Sequence, residues 1–493
     1  MNLKNKDLLV QRLGVFLGIM FALGIVLFAD FGAEYHNAKL VAAVAVLMSF
    51  FWITEAVPLA VTSLIPLILF PLTGVISGSQ VSGSYINSTI FLFMGGFIIA
   101  IAMEKWNLHK RIALNVINVF GKSPAKIVLG FMCAAGFISM WISNTATAVM
   151  ILPIGLAILV KMEEEFGKEK ISKFAKSLLL GIAYSCSIGG IGTLIGTPPN
   201  LVFQRVYKIS FPNNPEILFG DWMKFAVPMM ITMMFFVWFF LTKILFRSPK
   251  DLIIDENVIR SEKEKLGSMS YEEKIVLVLF ITTSILWIFR VRLDLGFITI
   301  PGWSNLFSKS DFIDDGTVAI TMAFLLFLIP VKNKTNDGNF ILNRDAISKI
   351  PWDIILLFGG GFALAEGFVS SGLSKLIGAQ FTALKGVNII ILIAVVSFVL
   401  TFLTELTSNT ATAQILLPIL ASLSVELNIS PLLLMIPATI SASFAFMLPV
   451  GTPPNAVVFT SRQLKISDMA KAGVLINFVG IAVVTFFVYL FFV

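Results

Sequence analysis

Two short polar runs are each written twice, in the same order, inside long apolar stretches. SNTATA fills Ser143–Ala148 and again Ser408–Ala413, and GTPPN fills Gly196–Asn200 and again Gly451–Asn455. A looser pair precedes both: FMGG at Phe93–Gly96 and FGGG at Phe358–Gly361. The first and third pairs are 265 residues apart and the GTPPN pair 255. Identical motifs at a near-constant offset mark an internal repeat. Each motif also breaks a greasy segment with small, polar or proline residues, which excludes a plain lipid-facing helix at those points.

The surroundings are membrane-like. Of 493 residues 57% are hydrophobic and 13% charged, with mean hydropathy +0.91, where a soluble domain carries roughly a quarter charged residues. Runs such as 13–29, 225–246 and 473–493 are long enough to cross a hydrocarbon core of about 30 Å. The first run follows the polar head Asn2–Arg12 without a small-residue cleavage site and reads as a retained span. The formal charge of +7 is assigned to basic cytoplasmic loops, with no nucleic-acid partner. Cys133 and Cys186 lie in apolar segments, and His36 and His109 are far apart, so neither a disulfide framework nor a transition-metal site is expected. GGIGTLIG at 189–196 has the wrong glycine spacing for a nucleotide loop and lacks its lysine. With no nucleophile–base pair at depth, the chain does not read as an enzyme.

Loops rich in Lys and Arg face the cytoplasm. Residues 104–126 carry Lys105, Lys110, Arg111, Lys122 and Lys126, and residues 161–176 carry five lysines. Only 127–160 separates them, too short for two spans of about 20 residues each, so this segment is expected to be a re-entrant hairpin with its tip at Ser143–Thr145. Irregular backbone survives at membrane depth only when buried in protein or lining a wet cavity. Carrying the parity along the chain gives an all-α polytopic membrane protein with about eleven spans and two re-entrant hairpins. Residues 1–38 form an N-terminal span. The first repeat, 39–246, holds hairpin 127–160 and a broken helix at 177–210. A cytoplasmic linker, 247–273, leads to the second repeat, 274–493, with hairpin 388–425 and broken helix 432–460. The N-terminus is then cytoplasmic, the C-terminus external, and the two repeats have opposite orientation. Inverted repeats with interrupted helices meeting at mid-membrane are the architecture of secondary transporters.

The motifs suit a site for small ions. A helix starting after an SNT tip aims free N–H groups and a positive dipole end at that tip. Exposed carbonyls with Ser and Asn oxygens suit a small hard cation. In GTPPN, Pro198 and Pro199 lack donors and force Thr197 extended, and Thr452, Pro453 and Pro454 repeat the device. The tips contain no Lys or Arg. A dianion held there by neutral donors alone is poorly compensated, and a co-bound cation solves that. Phe93–Gly96 and Phe358–Gly361 read as close helix packing. Glu405, four residues before Asn409, is an intramembrane acid whose role stays open between gating and structure. Glu55 and Glu366 are expected to make local bonds.

Paired SNT motifs, each followed by a G-[ST]-P-P break, resemble the divalent anion/sodium symporter family, the INDY-type di- and tricarboxylate carriers, from about residue 39 to the end. The resemblance implies a homodimer in the cell membrane and an elevator-type transport domain that carries C4-type dicarboxylates. It implies substrate contacts from Asn144, Thr145, Asn409 and Thr410, with Thr197 and Pro453 nearby. It implies one sodium site at Ser139, Ser143, Asn144 and Gly196, and its counterpart at Thr404, Ser408, Asn409 and Gly451. Some relatives exchange dicarboxylates without sodium, and another anion such as sulfate is a second alternative.

Overall fold

The computed structural model describes residues 3–120, 123–249, 252, 257–294, 298–335 and 338–493. Asn2 of the polar head and Lys122 of the basic loop lie outside the described residues, as does part of the 247–273 linker. The chain is helical with two small additions to the all-α expectation. Short antiparallel hairpins pair Leu293–Asp294 with Thr299–Ile300, and Pro330–Thr335 with Gly338–Phe340. Among the described residues seven helices are long and apolar enough to cross a membrane: Leu8–Phe28, Ala33–Thr54, Gly78–Lys105, Asn144–Phe166, Phe219–Leu245, Trp352–Ser370 and Ile466–Phe492. Shorter apolar helices cover Leu59–Leu72, Pro124–Ser139, Asp315–Leu328, Ile389–Thr404 and Leu432–Ser441.

The repeat is visible helix by helix. In the first half, helices Pro124–Ser139 and Asn144–Phe166 form a helical hairpin; in the second, Ile389–Thr404 and Asn409–Glu426 form its counterpart. The two first legs begin and end 265 residues apart, and so do the starts of the second legs. This is the offset of the SNTATA motif. Each tip is closed by an extended serine, Ser143 at φ −56°, ψ 142° and Ser408 at φ −63°, ψ 128°. Serine is a favoured helix N-cap because its oxygen can accept an orphan N–H, and Ser143 Oγ does accept from Ala146 N at 3.2 Å.

The broken helices repeat as well. Lys168–Gly190 is followed by Pro198–Ser210, and Leu432–Ser441 by Pro453–Phe459. The residue before each proline pair is extended as its steric clash requires: Thr197 at φ −143°, ψ 140° and Thr452 at φ −142°, ψ 150°. The asparagine that ends each GTPPN ties its break shut. Asn200 Nδ2 donates to the carbonyls of Thr193 (2.7 Å) and Gly190 (3.2 Å), and Asn455 Nδ2 to those of Ala445 (2.9 Å) and Leu448 (3.0 Å). The second break is the longer, because helix Leu432–Ser441 stops earlier relative to the motif.

The glycine-rich helices pack backbone to backbone. A Cβ at Gly95 would stand 2.5 Å from the Ala319 backbone, and one at its repeat partner Gly360 would stand 2.5 Å from Ser63 O. Small residues let helices approach this closely, where lipid gives no hydrophobic drive for association. A separate apolar cluster joins helix His36–Thr54, Phe70, Tyr85 and one face of Trp352–Ser370. The larger core holds both hairpins, both broken helices and the C-terminal helix.

Candidate functional site

Both hairpin tips and both breaks face one cavity of about 630 Å³. Its wall includes Ser143, Asn144, Thr145, Gly196 and Thr197 from the first repeat. The second repeat supplies Ser408, Asn409, Thr410, Gly451, Thr452 and Pro453. Trp52, Glu55, Phe93, Phe97, Asp353 and Leu357 complete it from the other packing cluster and the glycine-rich helices. Ser139 and Thr404 do not reach the cavity. They stand fully buried behind the asparagines.

Each asparagine is held by the residue that ends its hairpin's first leg. Ser139 Oγ lies 2.6 Å from Asn144 Oδ1 and 2.7 Å from Cys186 O. In the second repeat Thr404 Oγ1 lies 2.6 Å from Asn409 Oδ1 and 2.8 Å from Ala442 O. A hydroxyl has one proton to give, so in each repeat one of the two short oxygen–oxygen contacts has no hydrogen between its atoms. Around Asn144 the cluster is larger, because the same end of the amide is 3.1 Å from Cys186 O and 3.3 Å from Gly196 O. Two arrangements satisfy such a cluster. The amide turns nitrogen-first and gives its two hydrogens to oxygens of the cluster, or it stays oxygen-first around a cation. Hard cations are bound by oxygen ligands of this kind.

The two ends of each amide differ in chemistry, the oxygen accepting and the nitrogen donating. With its oxygen turned to the cluster, each asparagine sends its NH2 donors the other way, towards the cavity. The helices that start at Asn144 and Asn409 add their first-turn N–H groups and the positive ends of their dipoles. The breaks contribute differently. Pro198, Pro199, Pro453 and Pro454 carry no N–H; Thr197 Oγ1 lies 3.4 Å from Ser443 Oγ, and Thr452 Oγ1 is buried with no hydrogen-bond partner among the described residues. Among the described residues no Lys or Arg lines the cavity, and its only charged side chains are Glu55 and Asp353.

The geometry resolves roles that the residue pattern left open. Glu405 is a structural clasp. Its carboxylate accepts from the backbone N–H groups of Phe446 (2.8 Å), Met447 (2.9 Å) and Leu448 (3.2 Å), and from Asn477 Nδ2 (2.8 Å). It holds the second break against the C-terminal helix. The repeat-related position is Met140, whose carbonyl accepts from Thr193 Oγ1 at 2.5 Å; a hydroxyl tie in one half replaces a carboxylate tie in the other. Glu366, expected to bond locally, instead bonds across the fold, accepting from Ser84 Oγ at 2.9 Å. Glu55 departs from expectation. It is exposed in the cavity wall, and its carboxylate has no hydrogen-bond or ion-pair partner among the described residues. Gly190 also had no place in the sequence argument, yet a Cβ there would lie 2.7 Å from Asn144 Oδ1 and 3.0 Å from Gly196 O.

Residues 11–493 match the family model described as the sodium:sulfate symporter transmembrane region. The chain belongs to this family. It is 44% identical over 485 residues to the sodium-dependent dicarboxylate transporter SdcS of Staphylococcus saprophyticus, covering 97% of this chain and 91% of that protein. It is 43% identical, with the same coverage, to the protein of that name from Staphylococcus aureus. Two solved structures share the fold at low identity. The Alcanivorax borkumensis YdaH transporter aligns with TM-score 0.57 and 13% identity over 92% of this chain and 99% of its own. Neisseria gonorrhoeae MtrF aligns with TM-score 0.55 and 14% identity over 94% and 97%.

Proposed function

We propose that the protein carries C4-type dicarboxylates across the cell membrane together with sodium ions, as a secondary transporter. The observation that carries this reading is the symmetric pair of tips facing one cavity without a basic side chain. Each tip offers N–H donors to an anion and, one layer behind, an oxygen cluster to a cation. The printed names of the two staphylococcal relatives support the same substrate and ion.

In this account Asn144, Thr145, Asn409 and Thr410 hold the carboxylates, with Thr197 and Pro453 shaping the floor. Sodium binds among Ser139, Ser143, Asn144 and the Gly196 carbonyl, and among Thr404, Ser408, Asn409 and the Gly451 carbonyl. Sodium behind each asparagine fixes the amide with oxygen to the cation and nitrogen to the substrate, which links the two binding events. The cation also offsets a dianion that the lining cannot neutralise. The hairpins are re-entrant from opposite faces, and the body that holds them moves as an elevator against the helices of the smaller cluster. The exposed apolar helix Leu8–Phe28 and its neighbours face lipid and a second copy in a homodimer. The N-terminus is cytoplasmic, which puts Asp353, at the start of its helix after the basic loop Lys332–Lys349, on the cytoplasmic face.

A cavity of about 630 Å³ falls in the range of small-molecule pockets, about 300–1,000 Å³, and is roomy for a lone sulfate. The test is uptake of labelled succinate into proteoliposomes under an inward sodium gradient, against an equal potassium gradient, with unlabelled sulfate as competitor. Saturable, sodium-dependent uptake that sulfate does not compete supports the reading. Equal uptake in both salts would make the protein an exchanger, and strong competition by sulfate would change the substrate.

A further inference from the structure

The cavity that the tips face has an acidic mouth. Its floor is buried, with Thr197 2% and Thr452 3% exposed. Glu55 and Asp353, in the same lining, are exposed. They are the only charged side chains among the described lining residues, and neither has an ion-pair partner among the described residues. We propose that Glu55 and Asp353 form an anion-repelling collar that weakens dicarboxylate binding from this face alone, making the carrier asymmetric in affinity. The proposal rests on the dicarboxylate reading above and adds the two residues that set its sidedness.

Three observations support it. First, Asp353 disobeys the repeat. The position related to Asp353 by the 265-residue offset of the glycine-rich helices and SNTATA tips is Ser88, which is neutral. The near-symmetric tips predict similar affinity from either face, and Asp353 breaks that equivalence.

Second, Glu55 is a poor choice for the fold. It caps the C-terminal end of helix His36–Thr54 with φ 45°, ψ 40°, a left-handed conformation that favours glycine. The negative end of the helix dipole there favours a cation over a carboxylate. Local structure thus disfavours the residue twice, while its place on the cavity wall gives it a direct effect on an anion.

Third, the range is right. A cavity of this volume is about 10 Å across if round, close to the Debye length of about 8 Å at physiological ionic strength. A unit charge at the mouth therefore acts on a dianion at the tips, though solvent weakens it. With dielectric and screening for exposed groups, each acid changes dicarboxylate affinity by about twofold to threefold, and the pair by about fivefold.

The test compares inside-out and right-side-out membrane vesicles containing the full-length protein. The KM for succinate is measured at each face at saturating sodium, for wild type and for Glu55→Gln/Asp353→Asn. The expected result is a KM about fivefold lower at the collared face and unchanged at the other. The wild-type KM at the collared face should also fall as choline chloride is raised at fixed sodium, and the double variant should lose that dependence. Asp353→Lys should lower KM further than Asp353→Asn, a graded response to charge that a packing defect does not give. Equal KM changes at both faces, or none at either in a working carrier, would overturn the collar. A wild-type protein that moves no dicarboxylate would instead remove the reading on which the collar depends.

Discussion

Replacing Thr404 by valine removes one hydroxyl and keeps the shape of a side chain that is completely buried. The hydroxyl lies 2.6 Å from Asn409 Oδ1 and 2.8 Å from Ala442 O. Without it the oxygen that accepts its single proton loses its partner, and the cation cluster of the second repeat loses a ligand. Leaving a buried acceptor unpaired costs about 1–3 kcal/mol. At about 1.4 kcal/mol per factor of ten, the half-saturating sodium concentration should rise roughly fivefold to a hundredfold. Maximal succinate uptake at saturating sodium should fall much less, because the substrate-facing end of Asn409 is untouched. Thr404→Ser keeps the hydroxyl and should stay within about threefold of wild type, on the scale of a small repacking change. The assay is initial-rate succinate uptake into proteoliposomes over a sodium titration, with potassium holding ionic strength constant. Wild-type sodium dependence in Thr404→Val would refute the assignment of this cluster to sodium.

Three further outcomes are expected. Asn144→Ala and Asn409→Ala should each abolish succinate uptake while leaving a folded, monodisperse protein by gel filtration; near-normal transport by either one would refute the paired-tip site. Gly190→Ala should raise the half-saturating sodium concentration by at least about tenfold, a loss of about 1.4 kcal/mol, since its Cβ would meet Asn144 Oδ1 at 2.7 Å; an unchanged sodium titration would show that Asn144 is not held at a cation. Cysteines at positions 120 and 168 should react with an impermeant maleimide from the same face, and labelling from opposite faces would show that the intervening helices span.

What the sequence made legible was set by its punctuation. The SNTATA and GTPPN copies located both hairpin turns and both breaks, because helix termination there is a local matter of N-caps and prolines. The extended conformations of Thr197 and Thr452 follow from the proline after each, and the start of helix Asn144–Phe166 from the serine at its tip. Contacts that depend on helices distant in sequence were harder to read. Nothing near Glu405 in the chain announces the N–H groups of residues 446–448 or Asn477, so its role as a clasp needed the fold. Ser139 and Thr404 were marked by family resemblance alone, and only the packed structure shows them behind the asparagines. Glu55 was read as a locally bonded span-end residue. Its left-handed cap turns it into the cavity instead, a backbone conformation that glycine would have signalled and glutamate does not. The asparagines of GTPPN were quoted without a role, and their bonds back to carbonyls seven and ten residues earlier close each break. The span count was also less legible than the hairpins, since segments such as Leu59–Leu72 and Asp315–Leu328 are apolar but short.

The central claim is that substrate and sodium meet at the same asparagines, so that each strengthens the other's binding. Calorimetric titration of the purified protein with succinate, repeated at rising sodium and constant ionic strength, tests it most directly. The account predicts a succinate Kd that falls steadily with sodium and levels off. In the reverse titration, succinate should raise sodium affinity by the same factor, as linkage requires. A succinate Kd independent of sodium would contradict the account, leaving the tips as substrate ligands and the oxygen clusters behind them as internal packing.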